Sequence, residues 1–267
     1  MLKTRGRVLL GVVASLAFGV ATHAMAMTGQ EIADKVNARD QGSAVKQDLT
    51  MTLIEKSGAT QVRSTVFMAK KENGGSKSVI YFKDPAKLKG TAFLTYDFPN
   101  SDQSAQWLYL PSMQRTRRIS SAERGAYFLG TDMTNEDIKN QMKLGTADFT
   151  FEATGEETID GVKTLLLDAK PSSPKVAGEL GYGRVRVAVD PNTWIAIRAE
   201  YWDANNNPLK TTRLYDLTTI QGIVTPQRIV TENLKTGHKT EFKFQNVQYN
   251  LPLDDENFTE QGLRRGL

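Results

Sequence analysis

Residues 107–138 read WLYLPSMQRTRRISSAERGAYFLGTDMTNEDI, and this stretch decides how the rest of the chain is interpreted. Aromatic residues and leucines alternate over 107–110, so a strand there is apolar on both faces. Pro111 ends that strand, because proline cannot donate a backbone hydrogen bond. An extended pattern resumes over 115–119, and the two segments together predict a short β-hairpin.

The second half of the stretch predicts a helix. Thr134 is followed three residues later by Asp137, which is the spacing of a capping box at a helix N-terminus. The helix is expected to run to about Met142.

Basic residues in the first half of the stretch are followed closely by acidic residues in the second half. Guanidinium groups so near one another can hold a phosphate or a carboxylate bidentately, which would suit an anionic lipid head group or an acidic transporter surface. Internal ion pairing with the acidic residues is the favoured alternative. The basic residues are Arg115, Arg117, Arg118 and Arg124, and the acidic ones are Asp132, Glu136 and Asp137.

The first 26 residues have the organisation of a secretory signal. Three basic residues precede an apolar run over 8–21, and Ala24, Met25 and Ala26 form a small-residue cleavage site. The apolar run is short for a membrane span of about 20 residues, which favours cleavage after Ala26 over an uncleaved anchor. The sequence therefore predicts a secreted protein.

Composition excludes several classes of function. Removal of the signal lowers the net charge from +4 to +1, so a nucleic-acid partner is not expected, since phosphate contacts need a large basic surface. The chain has no cysteine, which excludes disulfides, thiolate nucleophiles and thiolate metal sites. No linker or change of composition divides residues 27–267, which predicts a single domain.

Most of this domain shows the period-two pattern of β-strands. Eleven to thirteen short strands separated by turn residues are predicted, and their short connections favour antiparallel pairing. A capping box of Thr28 and Glu31 predicts a short amphipathic helix over 28–40. Residues 171–182 are expected to be a loose loop, and residues 254–263 are expected to close with a helical turn.

Candidates for catalysis are few. His238 is the single histidine after the signal, and its place beside Gly237 in a predicted turn favours a solvated side chain over a general base. The sequence contains no metalloprotease, serine hydrolase or phosphate-loop motif. We therefore expect no enzymatic activity, no metal and no cofactor, and a hydrolase is the weakest hypothesis.

Bulky apolar residues point in both directions from several strands. A sheet of this kind must be covered on both sides by helices, a second sheet or a ligand. Composition alone favours an ordinary β-sandwich with a filled core.

The motifs WLYLP, RTRRI and GTDMTNEDI within 107–138 resemble the signature of the LolA-like family of periplasmic outer-membrane lipoprotein-sorting proteins, which are often associated with RND transporters. The similarity extends over 190–210 and 225–258. The resemblance implies a mainly β (α+β) fold, in which a strongly curved antiparallel sheet forms an incomplete β-barrel with short helices on its concave side. It also implies an apolar cavity that carries lipidated or lipidic cargo across the periplasm towards the outer membrane, without catalysis.

The resemblance also implies a cargo site and a motif site. Strand alternation leaves open which face of the sheet is concave. The arginines and aspartates of the motif, Arg115, Arg117, Arg118, Asp132 and Asp137, are candidates for an anion or partner contact. The candidate cavity wall consists of Leu49, Met51, Leu53, Val66, Met68, Phe82, Leu94, Trp107 and Tyr109.

One departure from the family pattern bears on the cargo. The resemblance implies an arginine on the strand before the proline loop that holds a lid, and residues 77–84 contain no arginine. This favours free lipids, hopanoid-like molecules or other apolar molecules exported by an RND partner over lipoproteins.

Two functions remain open at this point. One is the monomeric lipid carrier. The other is a lipid-sensing or adaptor module that docks on an RND-type transporter without moving cargo.

Overall fold

The computed structural model describes residues 27–99, 101–141 and 143–266, and the predicted signal sequence over 1–26 lies outside the described residues. Thirteen strands form one antiparallel sheet. The strands are β1 (Ala44–Ile54), β2 (Thr60–Glu72), β3 (Gly75–Asp84), β4 (Ala92–Asp97), β5 (Ala105–Leu110), β6 (Arg115–Arg118), β7 (Phe149–Ile159), β8 (Val162–Pro171), β9 (Arg184–Asp190), β10 (Ile195–Trp202), β11 (Pro208–Ile220), β12 (Ile223–Asn233) and β13 (Lys239–Tyr249). The α-helices are α1 (Gly29–Ala38), α2 (Asn135–Lys139), α3 (Pro174–Leu180) and α4 (Glu260–Arg265).

The sheet consists of two meanders joined through the pairing of β1 with β13. Strands β1 to β6 proceed outwards to one edge, and β13 to β7 proceed outwards to the other. Strands β6 and β7 are therefore consecutive in sequence but lie at opposite edges of the sheet. The chain between them, residues 119–148, has to travel from one edge to the other, and we call it the crossing segment.

Contacts of the crossing segment show how strongly the sheet curves. Gln106 on β5 donates from Nε2 to the Asn135 carbonyl oxygen at 2.9 Å, and Lys210 on β11 forms an ion pair with Asp137. Strands β5 and β11 are seven strand steps apart, which is about 34 Å in a flat sheet. Residues only two positions apart cannot contact both strands unless the sheet bends around them. The curved, incompletely closed sheet implied by the resemblance is confirmed.

The two faces of the sheet have separate cores. The inner face, which carries Leu49, Phe82 and Phe242, packs against the crossing segment. The outer face, which carries Val66 and Leu94, is covered by the C-terminal segment. Both faces are therefore buried over β2 to β5, which explains why the strands are apolar in both directions.

Three of the four α-helices found in the described residues lie on the inner face. Ile32 of α1 and Leu180 of α3 pack with inner residues of β8 and β9, and Ile138 of α2 packs with β1 and β13. Helix α4 differs, because its Leu263 packs on the outer face with Phe258. The expected concave placement of the helices is therefore confirmed for α1, α2 and α3, while the closing helical turn covers the other side.

The local signals for α1 and α2 are confirmed. The Thr134 side chain accepts from the Asp137 backbone N–H, and the Asp137 carboxylate accepts from the Thr134 backbone N–H, as in a capping box. Helix α2 ends at Lys139, earlier than the expected end near residue 142. The predicted hairpin is also present as β5 and β6, with Trp107 opposite Arg118.

The prediction of a loose loop over 171–182 is wrong, because α3 occupies most of it. The Ser173 side chain accepts from the Val176 backbone N–H, and Pro174 occupies the first turn. Gly181 ends the helix with φ at 74°, a conformation that glycine adopts without a steric cost. In the part of the chain described by the structure, no helix is long and apolar enough to cross a membrane.

Candidate functional site

A cavity of about 610 Å³ opens on the inner face, at the end of the sheet where β1 begins and β2 ends. Its size lies within the range of roughly 300–1,000 Å³ that is usual for ligand sites. Apolar side chains from four sheet strands, β1, β2, β12 and β13, and from α2 form much of its wall. We call it the main cavity, and its apolar lining includes Val45, Phe67, Ala69, Ile138, Phe244 and Tyr249.

A smaller cavity of about 110 Å³ lies between the crossing segment and strands β7 to β12. Its wall includes Met133, Val187 and Leu214. Gln141 and Lys143 line both cavities, so the two are neighbours on the same face. Helix α2 thus stands beside both spaces.

A buried lysine fixes α2 to the second meander. The Lys210 side chain is fully buried, pairs with the Asp137 carboxylate and donates to the Asp132 carbonyl oxygen at 3.0 Å. Tyr182 donates its hydroxyl to Asp137 Oδ2 at 2.9 Å. The rings of Tyr182 and Tyr201 lie 5.1 Å and 4.9 Å from the ammonium nitrogen. Aromatic faces and a carboxylate together compensate a charge that water does not reach.

Burial makes the two tyrosines of this network harder to deprotonate than an exposed tyrosine, which is itself protonated at neutral pH. Burial raises the pKa of both the Tyr182 and Tyr201 phenols, and the charge of Asp137 raises each further. The Tyr182 hydroxyl therefore remains a hydrogen-bond donor to Asp137 at neutral pH.

A second buried carboxylate links the crossing segment to β13. Asp132 Oδ2 accepts from Thr240 Oγ1 at 2.8 Å and lies 2.6 Å from His238 Nδ1. The His238 side chain is only 17% exposed. The expectation of a solvated turn histidine is therefore wrong, because the crossing segment folds over that turn and supplies a carboxylate.

Arg124 joins three parts of the chain. Its Nε donates to Glu136 Oε2 at 2.8 Å, and its two terminal nitrogens contact Asp148 and Glu179. Burial acts to raise the pKa of Glu136, but the hydrogen bond from Arg124 and the charge of Lys139 outweigh it, so the pKa is lowered. Glu136 therefore remains a carboxylate at neutral pH and anchors α2.

The first meander holds the crossing segment from the opposite side. Arg63 on β2 is only 7% exposed, and its Nη1 donates to the Leu129 carbonyl oxygen at 2.7 Å. Residues 77–84 on β3 contain no arginine, but the neighbouring strand supplies one that contacts this segment. Both halves of the sheet are thus bonded to the same short piece of chain.

The other three arginines of the basic cluster do not join these networks. Arg115, Arg117 and Arg118 are exposed on the edge strand β6. Arg117 pairs with Glu123, and Arg118 lies 6.0 Å from the centre of the Trp107 ring. Internal pairing of the arginine cluster with the acidic residues holds for Arg124 and Glu136. It is wrong for Asp132, which pairs with His238, and for Asp137, which pairs with Lys210. The fold brings β13 and β11 closer to these two aspartates than it brings the arginines.

The nine candidate wall residues are divided between the two faces. Leu49, Met51, Leu53 and Phe82 lie on the inner face, but they are packed beneath the crossing segment and do not border the main cavity. The other five pack on the outer face with the C-terminal segment, so the nine cannot form one cavity wall. These five are Val66, Met68, Leu94, Trp107 and Tyr109.

Sequence reasoning missed the residues that do line the main cavity. Phe67 and Ala69 were on the alternative face of β2 in the period-two pattern, and Phe244 has the same parity as the buried Phe242 on β13. The period-two pattern therefore grouped Phe67 and Ala69 correctly on one face of β2. What it lacked was the choice between the two faces.

Among the described residues, no group of three or more histidine, aspartate or glutamate side chains could hold a metal ion. The buried carboxylates described above face lysine, arginine, histidine or tyrosine partners.

A family model described as "Uncharacterized protein" matches residues 74–265 of this chain. No curated protein matches it.

Solved structures cover nearly the whole described fold. A DUF1329 family protein from Desulfovibrio piger is 27% identical, with a TM-score of 0.81, over 88% of this chain and 97% of that one. A putative outer membrane lipoprotein-sorting protein domain from Vibrio parahaemolyticus is 24% identical, with a TM-score of 0.81, over 89% and 98%. A LolA superfamily protein from Nitrosomonas europaea is 22% identical, with a TM-score of 0.66, over 89% and 100%.

Proposed function

Because this chain belongs to a LolA-like family, we propose that it is a non-catalytic carrier that binds lipidated or lipidic cargo in the main cavity. The observation that carries the proposal is the cavity itself. It is about 610 Å³ in volume, it lies on the concave face of a lipoprotein-sorting fold, and much of its wall is apolar. Such a space can shield an acyl chain from water.

The energetics of this binding need no covalent step. Each buried methylene contributes about 0.8 kcal/mol, so about ten methylenes supply roughly 8 kcal/mol, which corresponds to roughly micromolar affinity. Binding of that strength is tight enough to hold the cargo and weak enough to release it to an acceptor with a larger apolar surface.

We place the carrier in the periplasm. The predicted signal over 1–26 would export the chain, and the structural relative from Vibrio parahaemolyticus is described as a lipoprotein-sorting domain. Cargo would then be the acyl chains of lipoproteins, free lipids or hopanoid-like molecules, delivered towards the outer membrane. An inner-membrane RND-type transporter is the proposed donor.

A lipid-sensing or adaptor module is the second candidate, and the exposed arginines favour it. Arg115, Arg117 and Arg118 present guanidinium groups along the free edge of β6. An acidic surface on a transporter would complement them. In that case cargo binding would report the presence of lipid without moving it.

Transfer of a fluorescent phospholipid from donor to acceptor vesicles distinguishes the two candidates. For a carrier, the transfer rate rises with protein concentration above the rate of vesicles alone. An adaptor binds the phospholipid but leaves the transfer rate at that of vesicles alone, and this result would contradict the carrier proposal.

A further inference from the structure

Arg39 lies at the mouth of the main cavity, at the C-terminal end of α1. Its side chain is partly buried, and its Nη1 donates to the Asp40 carbonyl oxygen at 3.5 Å. Among the described residues, no carboxylate lies within 4.0 Å of its guanidinium group. The carbonyl end of α1 offsets only part of the positive charge. Arg39 is thus a partly desolvated cation that forms no ion pair, and the neighbouring Asp40 carboxylate offsets its charge only from a distance beyond 4.0 Å.

Burial lowers the pKa of Arg39, although the negative charge of Asp40 acts in the opposite direction. An arginine guanidinium nevertheless keeps its proton at neutral pH. The site therefore holds a permanent charge beside an apolar space, and leaving such a charge unpaired costs free energy.

The other charged groups of the cavity wall are nearly all basic. Lys139 pairs with Glu136 and Lys143 pairs with Asp97, so both are compensated. Lys70 and Glu72 pair with each other. Lys71 points to the same face as Ala69 and has no carboxylate partner within the described part of the chain. The charged lining residues are Arg39, Lys70, Lys71, Glu72, Lys139 and Lys143.

We propose that the main cavity binds amphiphiles with an anionic head group, which Arg39 and Lys71 hold at the mouth while the tail enters between Phe67 and Phe244. The inference rests on the proposed function and adds a charge preference to it. A carboxylate and a phosphate can both accept two hydrogen bonds from one guanidinium group. A fatty acid and a phosphorylated lipid are thus the two sources of the same chemistry.

Displacement of N-phenyl-1-naphthylamine, a neutral apolar fluorophore, tests this preference. The competitors are hexadecanoate, hexadecyl phosphate and hexadecanol, which share one tail and differ in the head group. At pH 8 we expect at least one of the anions to compete about tenfold more strongly than the alcohol, as a charge-assisted hydrogen bond predicts. The stronger of the two anions identifies the source of the head group.

Variants locate the preference at the cavity mouth. Arg39→Gln should lose about tenfold in affinity for the anions and keep its affinity for hexadecanol. Lys71→Gln, at an exposed position that tolerates the change, should lose less in the same direction. Lys46→Gln is the matched control, because Lys46 lies between the cavity residues Val45 and Gln47 but points to the outer face. It removes the same charge and should behave as wild type.

The outcomes separate this inference from the function on which it rests. Equal competition by hexadecanol and both anions in the wild-type protein would leave the carrier intact and overturn the charge preference. An equal loss in Lys46→Gln would show a general effect of net charge and also overturn it. If none of the amphiphiles displaces the fluorophore, the proposed function itself fails.

Discussion

The variant Ala69→Trp is expected to bind acyl cargo roughly a hundredfold more weakly than the wild-type protein while remaining folded. Ala69 lies on the inner face of β2, opposite Val45 and Ser78, and all three line the main cavity. An indole ring there occupies space that the tail needs. Exclusion of about four methylenes removes about 3 kcal/mol of binding free energy.

Titration of the wild-type protein and the variant with hexadecanoate, followed by the same fluorophore, measures this loss. Val62→Trp is the control, because Val62 is on the same strand, is 57% exposed and lies outside the cavity wall. Thermal unfolding of each variant verifies that it is folded. If Ala69→Trp is folded and binds as tightly as Val62→Trp, the main cavity does not hold the cargo.

The variant Asp137→Asn is expected to lower the free energy of unfolding by about 3–5 kcal/mol. Lys210 has no exposed side-chain surface, and Asp137 is the carboxylate that compensates its charge. The amide leaves that charge buried and unpaired. Urea unfolding monitored by tryptophan fluorescence measures the change.

Two comparisons make this result specific. Arg117→Gln breaks an exposed ion pair with Glu123 and should change the same quantity by no more than about 1 kcal/mol. The double variant Asp137→Asn with Lys210→Met removes the charge as well, and should recover a large part of the lost stability. If Asp137→Asn costs no more than Arg117→Gln, the buried network does not anchor the crossing segment.

Local features of the fold could be predicted because neighbouring residues determine them. The capping boxes at Thr28 and Thr134 and the hairpin around Pro111 depend on residues within a few positions of one another. Helix α3 could also have been predicted from the sequence. Ser173 with Pro174 at its start and Gly181 at its end are ordinary helix signals, and the polar composition of the stretch concealed them.

Curvature and the choice of face could not be obtained from periodicity. Period two divides β2 into one set with Val66 and another with Phe67, and both sets are apolar. Only the path of the crossing segment, which depends on the pairing of β1 with β13, makes the face of Phe67 the concave one. The resemblance to the LolA-like family predicted that the sheet is curved. It did not predict which alternate residues of each strand point to the concave face.

The prediction that charged residues close in sequence pair with each other failed because contacts between distant strands decide the pairing. Asp137 was expected to pair with an arginine about twenty residues before it, as neighbouring opposite charges often do. Its partner, Lys210, is 73 residues away in sequence. Lysine is rarely buried unless it is paired. The position of Lys210 inside a strand therefore did not predict that its side chain would be fully buried.

Native mass spectrometry of the protein, purified without detergent, tests the central claim most directly. The account predicts a population heavier than the bare chain by the mass of a lipid, and organic extraction should release a molecule with a long acyl or other apolar tail. Ala69→Trp, prepared in parallel, should carry much less of it. A wild-type protein that carries no such molecule, and takes none up when incubated with vesicles, would contradict the account.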